Sequence, residues 1–216
     1  MTDWKTGEIL STNPLVAIYD NVFDKKLADA VIAASADQQE LEVLVGLVKT
    51  KSDVRTNTAQ MLDQWSHPAA TEICTRVSSL VRLPPENCEP AKVMRYRDGE
   101  EFKPHVDGLN DYAPASIERL QYGGQRVFTA LCYLNDVPTG GETEFPLLKI
   151  SVTPKLGRVL VFSNTIPGTT DVHPHSTHAG RPVTDGEKWA MSLWWRERLY
   201  HVPRSYPEED GDLRVV

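Results

Sequence analysis

Apolar positions in the first eighty residues fall into one strand-like run and two helical stripes. Pro14 to Val22 (PLVAIYDNV) is apolar and β-branched, which predicts an opening strand. Asp24 then offers an N-cap, and Leu27, Ala30, Val31 and Ala34 recur at i, i+3, i+4 and i+7, the stripe of an amphipathic helix. Between residues 38 and 60 the pattern is mixed: Leu41, Val43 and Val45 have the alternation of a strand, and Val54 to Thr58 is polar, so no firm element is assigned. A second helix is predicted from near Ser66, with Pro68 in its first turn, Ile73, Val77, Leu80 and Val81 on one face, and Leu83-Pro84-Pro85 as its stop.

After Pro85 the texture changes. Short β-type runs at 91–97, 101–107, 127–135, 142–145, 158–163 and 188–196 are separated by Gly and Pro, with no helix long enough for a parallel crossover. This predicts an α+β chain: an antiparallel barrel or jelly roll with the N-terminal helices packed on its outside. The expected organisation is a single domain over 1–216, with a strand and helix support region (1–90), a jelly-roll core (91–200) and a polar tail (201–216). Gly108 to Gln125 reads as a loop, and as a lid over whatever site the core carries.

Composition narrows the function. A chain of 216 residues and 24.2 kDa with 40% hydrophobic and 25% charged residues has the make-up of a soluble globular domain. A net charge of −7 disfavours nucleic acid as a partner. No stretch approaches the ~20 apolar residues of a membrane span, and no apolar leader is present, so the expected location is cytoplasmic. Cys74, Cys88 and Cys132 are odd in number and lack CxxC spacing, which predicts reduced, buried thiols.

The chemistry concentrates in the core. If the chain around His105 is extended, His105 and Asp107 project to one side. Together they offer an imidazole and a carboxylate, two of the three ligands of a 2-His-1-carboxylate Fe(II) site. A third would come from His173, His175 or His178, three of the chain's six histidines; His178 is the choice. In the run from Lys188 to Arg196, alternation places Trp189, Met191, Leu193 and Trp195 on one face and Lys188, Ala190, Ser192, Trp194 and Arg196 on the other. A lysine inside a barrel needs an anion, which a dicarboxylate would supply. In the run from Val127 to Asn135, Thr129, Leu131 and Tyr133 share a face whose two hydroxyls suit an oxygen-rich ligand.

Four blocks carry a resemblance: Tyr-x-x-Gly-x-x-Phe-x-x-His-x-Asp at 96–107, Arg-x-x-Thr-x-x-x-Tyr-Leu-Asn at 126–135, Gly-Gly-Glu-Thr-x-Phe-Pro at 140–146, and His-x-Gly-x-Pro-Val-x-x-Gly-x-Lys-Trp at 178–189. In this order the chain resembles the Fe(II)- and 2-oxoglutarate-dependent oxygenases, and among them the prolyl 4-hydroxylases. The resemblance implies a double-stranded β-helix core, with His105, Asp107 and His178 holding Fe(II) and Lys188 pairing with the distal carboxylate of 2-oxoglutarate. It further implies that Tyr96, Thr129, Tyr133 and Trp194 line the cosubstrate pocket, and that Arg55 and Thr56 contact a peptide. The implied reaction consumes O2, converts 2-oxoglutarate to succinate and CO2 and hydroxylates a prolyl residue, with ascorbate as a candidate reductant. Three alternatives stand beside it: the same chemistry on a free amino acid or other small molecule, a zinc-binding hydrolase or non-catalytic metal-binding module, and a purely structural jelly roll. A purely structural jelly roll leaves the pairing of His178 with Lys188 and the order of all four blocks unexplained, and a zinc hydrolase needs a general base beside its bound water and has no use for a buried lysine facing a dicarboxylate.

Overall fold

Both helical stripes fold where their spacing predicts. The computed structural model describes residues 5–37, 39–40, 42–45, 48–51, 54–110 and 114–201. In chain order the elements are β1 (Glu8–Thr12), β2 (Leu15–Tyr19), α1 (Lys25–Ala34), β3 (Gln39–Glu40), β4 (Glu42–Val45), β5 (Val48–Lys51), β6 (Thr58–Leu62) and α2 (Pro68–Val81). The core follows with β7 (Ala91–Tyr96), β8 (Phe102–His105), α3 (Pro114–Gln121), β9 (Arg126–Tyr133), β10 (Thr139–Gly140), β11 (Thr143–Phe145) and β12 (Ile150–Val152). It closes with β13 (Val159–Ser163), β14 (His178–Gly180), β15 (Val183–Asp185) and β16 (Lys188–Arg196).

Asp24 caps α1, its carboxylate accepting from the Leu27 N–H at 3.0 Å. Pro68 opens α2, where its missing N–H costs nothing, and the left-handed Arg82 at φ 58° closes it. The buried face of α2 carries Ala69, Ala70, Ile73, Cys74, Val77 and Val81. It packs with α1 on Val93, Met191, Leu193 and Trp195 of the sheet, forming one apolar core. Each fully buried branched side chain there contributes about 1.5–3 kcal/mol.

The strands form two main antiparallel sheets, in the orders β1-β2-β13-β9-β16-β7-β6-β3 and β12-β11-β14-β8. A second core of Met94, Tyr96, Leu131, Tyr133, Phe145, Leu160, Phe162 and Ala190 fills the space between them. This is the predicted double-stranded β-helix with helices outside. Strand alternation works out as expected: Ala130, Cys132 and Leu134 face the helices, and Leu131 and Tyr133 face inward.

Several elements differ from expectation. The opening strand is the second half of a hairpin, β1 pairing with β2, and both join the major sheet along with β6 and β3. The N-terminal region therefore extends the core sheet besides supporting it. Gln39–Glu40, Glu42–Val45 and Val48–Lys51 are three short strands, β4 pairing antiparallel with β5, where no firm element was assigned. Gly108 to Gln125 contains α3 and is not a continuous loop; Pro114 starts this helix, and Gly123 and Gly124, both at φ 79°, follow its end. Residues 111–113 of that stretch, and the tail from 202 to 216, lie outside the described residues.

Candidate active site

Pairing of β8 with β14 places His178 directly opposite His105. Asp107 lies just past the end of β8, and ligand atoms of His105, Asp107 and His178 all lie within 4.8 Å of one another. His105 Nε2 is 3.8 Å from Asp107 Oδ1, and His178 Nε2 is 3.6 Å from Asp107 Oδ2. Both imidazoles are oriented from behind. His105 Nδ1 donates to the Lys103 carbonyl at 2.8 Å, and His178 Nδ1 donates to the Ser176 carbonyl at 3.0 Å. A carbonyl can only accept, so each Nδ1 carries the proton and each Nε2 turns a free lone pair toward the carboxylate.

Burial, then the nearby His178, pushes His105 down to about 4, so its imidazole is neutral at physiological pH and free to ligate. Burial alone would raise the Asp107 carboxyl; His178, His105 and Arg126 outweigh it and hold the group below the ordinary carboxylate range. Thr129 fixes the anion further, its hydroxyl donating to Asp107 Oδ2 at 2.8 Å, and Asn164 in turn donates to Thr129 Oγ1 at 2.9 Å. Two imidazoles, one carboxylate and open space in front are the donor set of a non-haem Fe(II) centre, and these residues fit it.

The triad opens into a cavity of about 240 Å³. Its wall follows from the pairing of β7 with β16, where Lys188 faces Tyr96, Ala190 faces Met94 and Ser192 faces Lys92. Lys188 is 2% exposed; its Nζ donates to the Gly141 carbonyl at 2.6 Å and lies 5.1 Å from the centre of the Tyr96 ring. Burial lowers its pKa to about 7, with Glu142 opposing. The Gly140-Gly141 turn is part of this arrangement. Both residues have φ above 70°, and a Cβ on Gly140 would collide with the Pro182 carbonyl oxygen.

The sequence-predicted residues separate into cavity and support. His105, Asp107, His178, Lys188, Tyr96, Thr129, Trp194 and Arg55 line the cavity. Tyr133 is fully buried behind it and reaches the lining through its hydroxyl, 2.8 Å from Thr143 Oγ1. Thr56 turns away to bridge the Glu101 backbone, accepting from its N–H at 2.8 Å. His173 is buried with its Nδ1 accepting from the His175 N–H, and neither ring joins the triad.

Sequence reasoning missed Thr143, Lys92 and the buried carboxylate of Glu89. Glu89 accepts from Arg126 Nη2 at 2.7 Å and Arg196 Nη1 at 2.8 Å, and it holds Arg126 with its guanidinium 4.1 Å above the Trp194 ring. The Trp194 indole N–H is turned toward Asp107 but lies outside hydrogen-bonding geometry. Glu89 and Arg126 are 37 residues apart, and no local pattern joins them. Among the described residues, Asp107 is the one carboxylate lining the cavity, so a zinc hydrolase would lack its general base.

Comparison with known proteins agrees. The family described as the 2OG-Fe(II) oxygenase superfamily matches residues 91–196. A putative prolyl 4-hydroxylase of Acanthamoeba polyphaga mimivirus is 36% identical over 151 residues, covering 70% of this chain and 62% of that protein. Prolyl 4-hydroxylase 1 of Arabidopsis thaliana is 34% identical over 211 residues, covering 88% of this chain and 72% of the relative. The crystal structure of the viral collagen prolyl hydroxylase of Paramecium Bursaria Chlorella virus-1 in complex with 2-oxoglutarate superposes with a TM-score of 0.67 at 26% identity, over 84% of this chain and 95% of that one. With the cofactor Fe(II) and the cosubstrates 2-oxoglutarate and O2 that such a site serves, the chain belongs to the 2-oxoglutarate- and Fe(II)-dependent oxygenases, a superfamily of dioxygenases, and within it to the prolyl 4-hydroxylase branch.

Proposed function

We propose that this dioxygenase hydroxylates a prolyl residue of a peptide or protein. The observation that carries the reading is one cavity holding the His105, Asp107 and His178 triad together with the buried ammonium of Lys188. Iron and its cosubstrates, when bound, supply decarboxylation of 2-oxoglutarate to succinate and CO2 coupled to hydroxylation of an unactivated C–H bond. His105, Asp107 and His178 hold the metal. Lys188 exchanges its Gly141 carbonyl for the distal carboxylate of 2-oxoglutarate, and Tyr96 and Thr143 bound the same end of the cavity. Thr129 holds Asp107 correctly turned through its hydrogen bond, which leaves its role supportive of the metal more than of the cosubstrate.

Prolyl 4-hydroxylase relatives support a peptide partner, and the position of Arg55 on the cavity wall is consistent with contact to one. No helix among the described residues is long and apolar enough to cross a membrane. We also propose a cytoplasmic setting, supported by three free and buried cysteines, and ascorbate as reductant of iron oxidised in unproductive cycles. The test is turnover of a proline-containing peptide panel with Fe(II), 2-oxoglutarate and air. The expected result is peptide-stimulated succinate with one added oxygen on proline; oxygen added to free proline and to no peptide would move the substrate to small molecules.

A further inference from the structure

The cavity carries more positive charge than iron and 2-oxoglutarate use. Arg55, Lys92, Arg126 and Lys188 line it against the single carboxylate of Asp107. Lys188 is committed to 2-oxoglutarate, and Arg126 is paired with Glu89, a carboxylate it shares with Arg196 and Arg119. Lys92 and Arg55 are left. Lys92 sits on the inward face of β7 opposite Ser192, four residues along β16 from Lys188, or about 13 Å. Its Nζ lies 5.1 Å from the centre of the Trp194 ring, and among the described residues it has no carboxylate partner. Arg55 stacks its guanidinium 4.5 Å over Phe102, bonds only to Asn57 through Nε, and likewise has no carboxylate partner among the described residues. A half-buried ammonium beside Arg55 and Arg126 is held in a protein of net charge −7 with only partial compensation from the Asp107 carboxylate, which the metal site claims; burial, then Arg55 and Arg126, lowers Lys92 to about 8. Structures seldom keep desolvated cations unpaired unless a ligand supplies the anion.

We propose that Lys92 and Arg55 form a carboxylate-binding subsite for the substrate, so that the hydroxylated proline is presented beside a carboxylate. This rests on the prolyl hydroxylase reading and deepens it. Two sources share that chemistry: an acidic side chain next to the target proline, or the main-chain carboxylate of a terminal or free proline. Both place an anion within reach of two fixed cations, where charge-assisted hydrogen bonds are worth more than in water.

The test is equilibrium binding to the Fe(II)- and 2-oxoglutarate-loaded protein kept free of O2, so that nothing turns over and Lys188 is already occupied. Two matched pairs serve as probes: acetyl-Pro-Glu-amide against acetyl-Pro-Gln-amide, and acetylproline against acetylprolinamide. The acidic member of at least one pair binds about tenfold or more tightly than its neutral partner, and the pair that shows the preference names the source. Lys92→Gln removes most of that preference, and Lys92→Arg, which keeps the charge and reports that the site is still folded, retains it. Equal binding of both members in both pairs, absence of binding by all four, or a preference intact in Lys92→Gln would overturn the subsite. Failure of the dioxygenase reading is read separately, as absence of Fe(II)-dependent succinate formation by the wild-type protein in air without substrate.

Discussion

Lys188 is where charge, burial and cosubstrate meet in one side chain. Its ordinary value of 10.5 falls to about 7 because burial penalises the ammonium. Between these values the unfolded chain binds a proton that the folded, ligand-free chain does not, so this residue makes the apo-protein more stable as pH rises from about 7 to 10.5. On the proposed pairing with Lys188, binding of the dicarboxylate would restore the ammonium. Calorimetry at pH 8.5, in buffers of different ionisation enthalpy, is expected to show uptake of about one proton as 2-oxoglutarate binds the metal-loaded protein. No uptake would mean that Lys188 enters already charged. Removal of the side chain, as Lys188→Ala, leaves a carboxylate unpaired and raises the 2-oxoglutarate dissociation constant by about 2–4 kcal/mol, roughly 30- to 1,000-fold. Thr129 supplies a second residue-scale prediction. Thr129→Val keeps the volume and loses the hydrogen bond to Asp107, so iron affinity drops by roughly 10–100-fold while the melting temperature changes little. Unchanged metal affinity, measured by competition with a chelator, would reduce Thr129 to packing.

Among the elements, those with a clear period were legible and those defined by their neighbours were not. The stripe from Leu27 to Ala34 and the inward and outward faces of β16 could be read directly, because 3.6 and 2 are properties of the local chain. Three-residue strands such as β14 and β15 have no period to read and exist because partners lie beside them. The sequence offered three histidines within six residues; register against His105 is the physical reason that His178, and not His173 or His175, joins the site. Helix α3 went unread because eight residues that begin at Pro114 and run into a Gly pair look like a loop. The Gly140-Gly141 turn would pass for an ordinary hairpin, yet it delivers the carbonyl that holds Lys188. Gly140→Ala therefore costs about 1–3 kcal/mol of stability and weakens 2-oxoglutarate binding together with it. Urea denaturation and a 2-oxoglutarate titration check the two effects, and a variant as stable as the parent would contradict the close approach.

At the scale of the molecule, the major sheet sorts its two faces between separate tasks. Its outer face, with Trp189, Met191, Leu193 and Trp195, is buried under α1 and α2 and carries stability. Its inner face, with Lys188, Ser192 and Trp194, carries the chemistry. This division gives the cavity a positive lining inside an acidic protein, the reverse of what net charge alone describes. The measurement that tests the account most directly is succinate formation from 2-oxoglutarate by the Fe(II)-supplied protein, in air and without O2, for the parent and for Asp107→Ala. The account predicts turnover in air by the parent, none without O2, and none by Asp107→Ala, whose site retains only two imidazoles. Succinate formed by Asp107→Ala at the parental rate would remove the triad from the reaction and contradict the account.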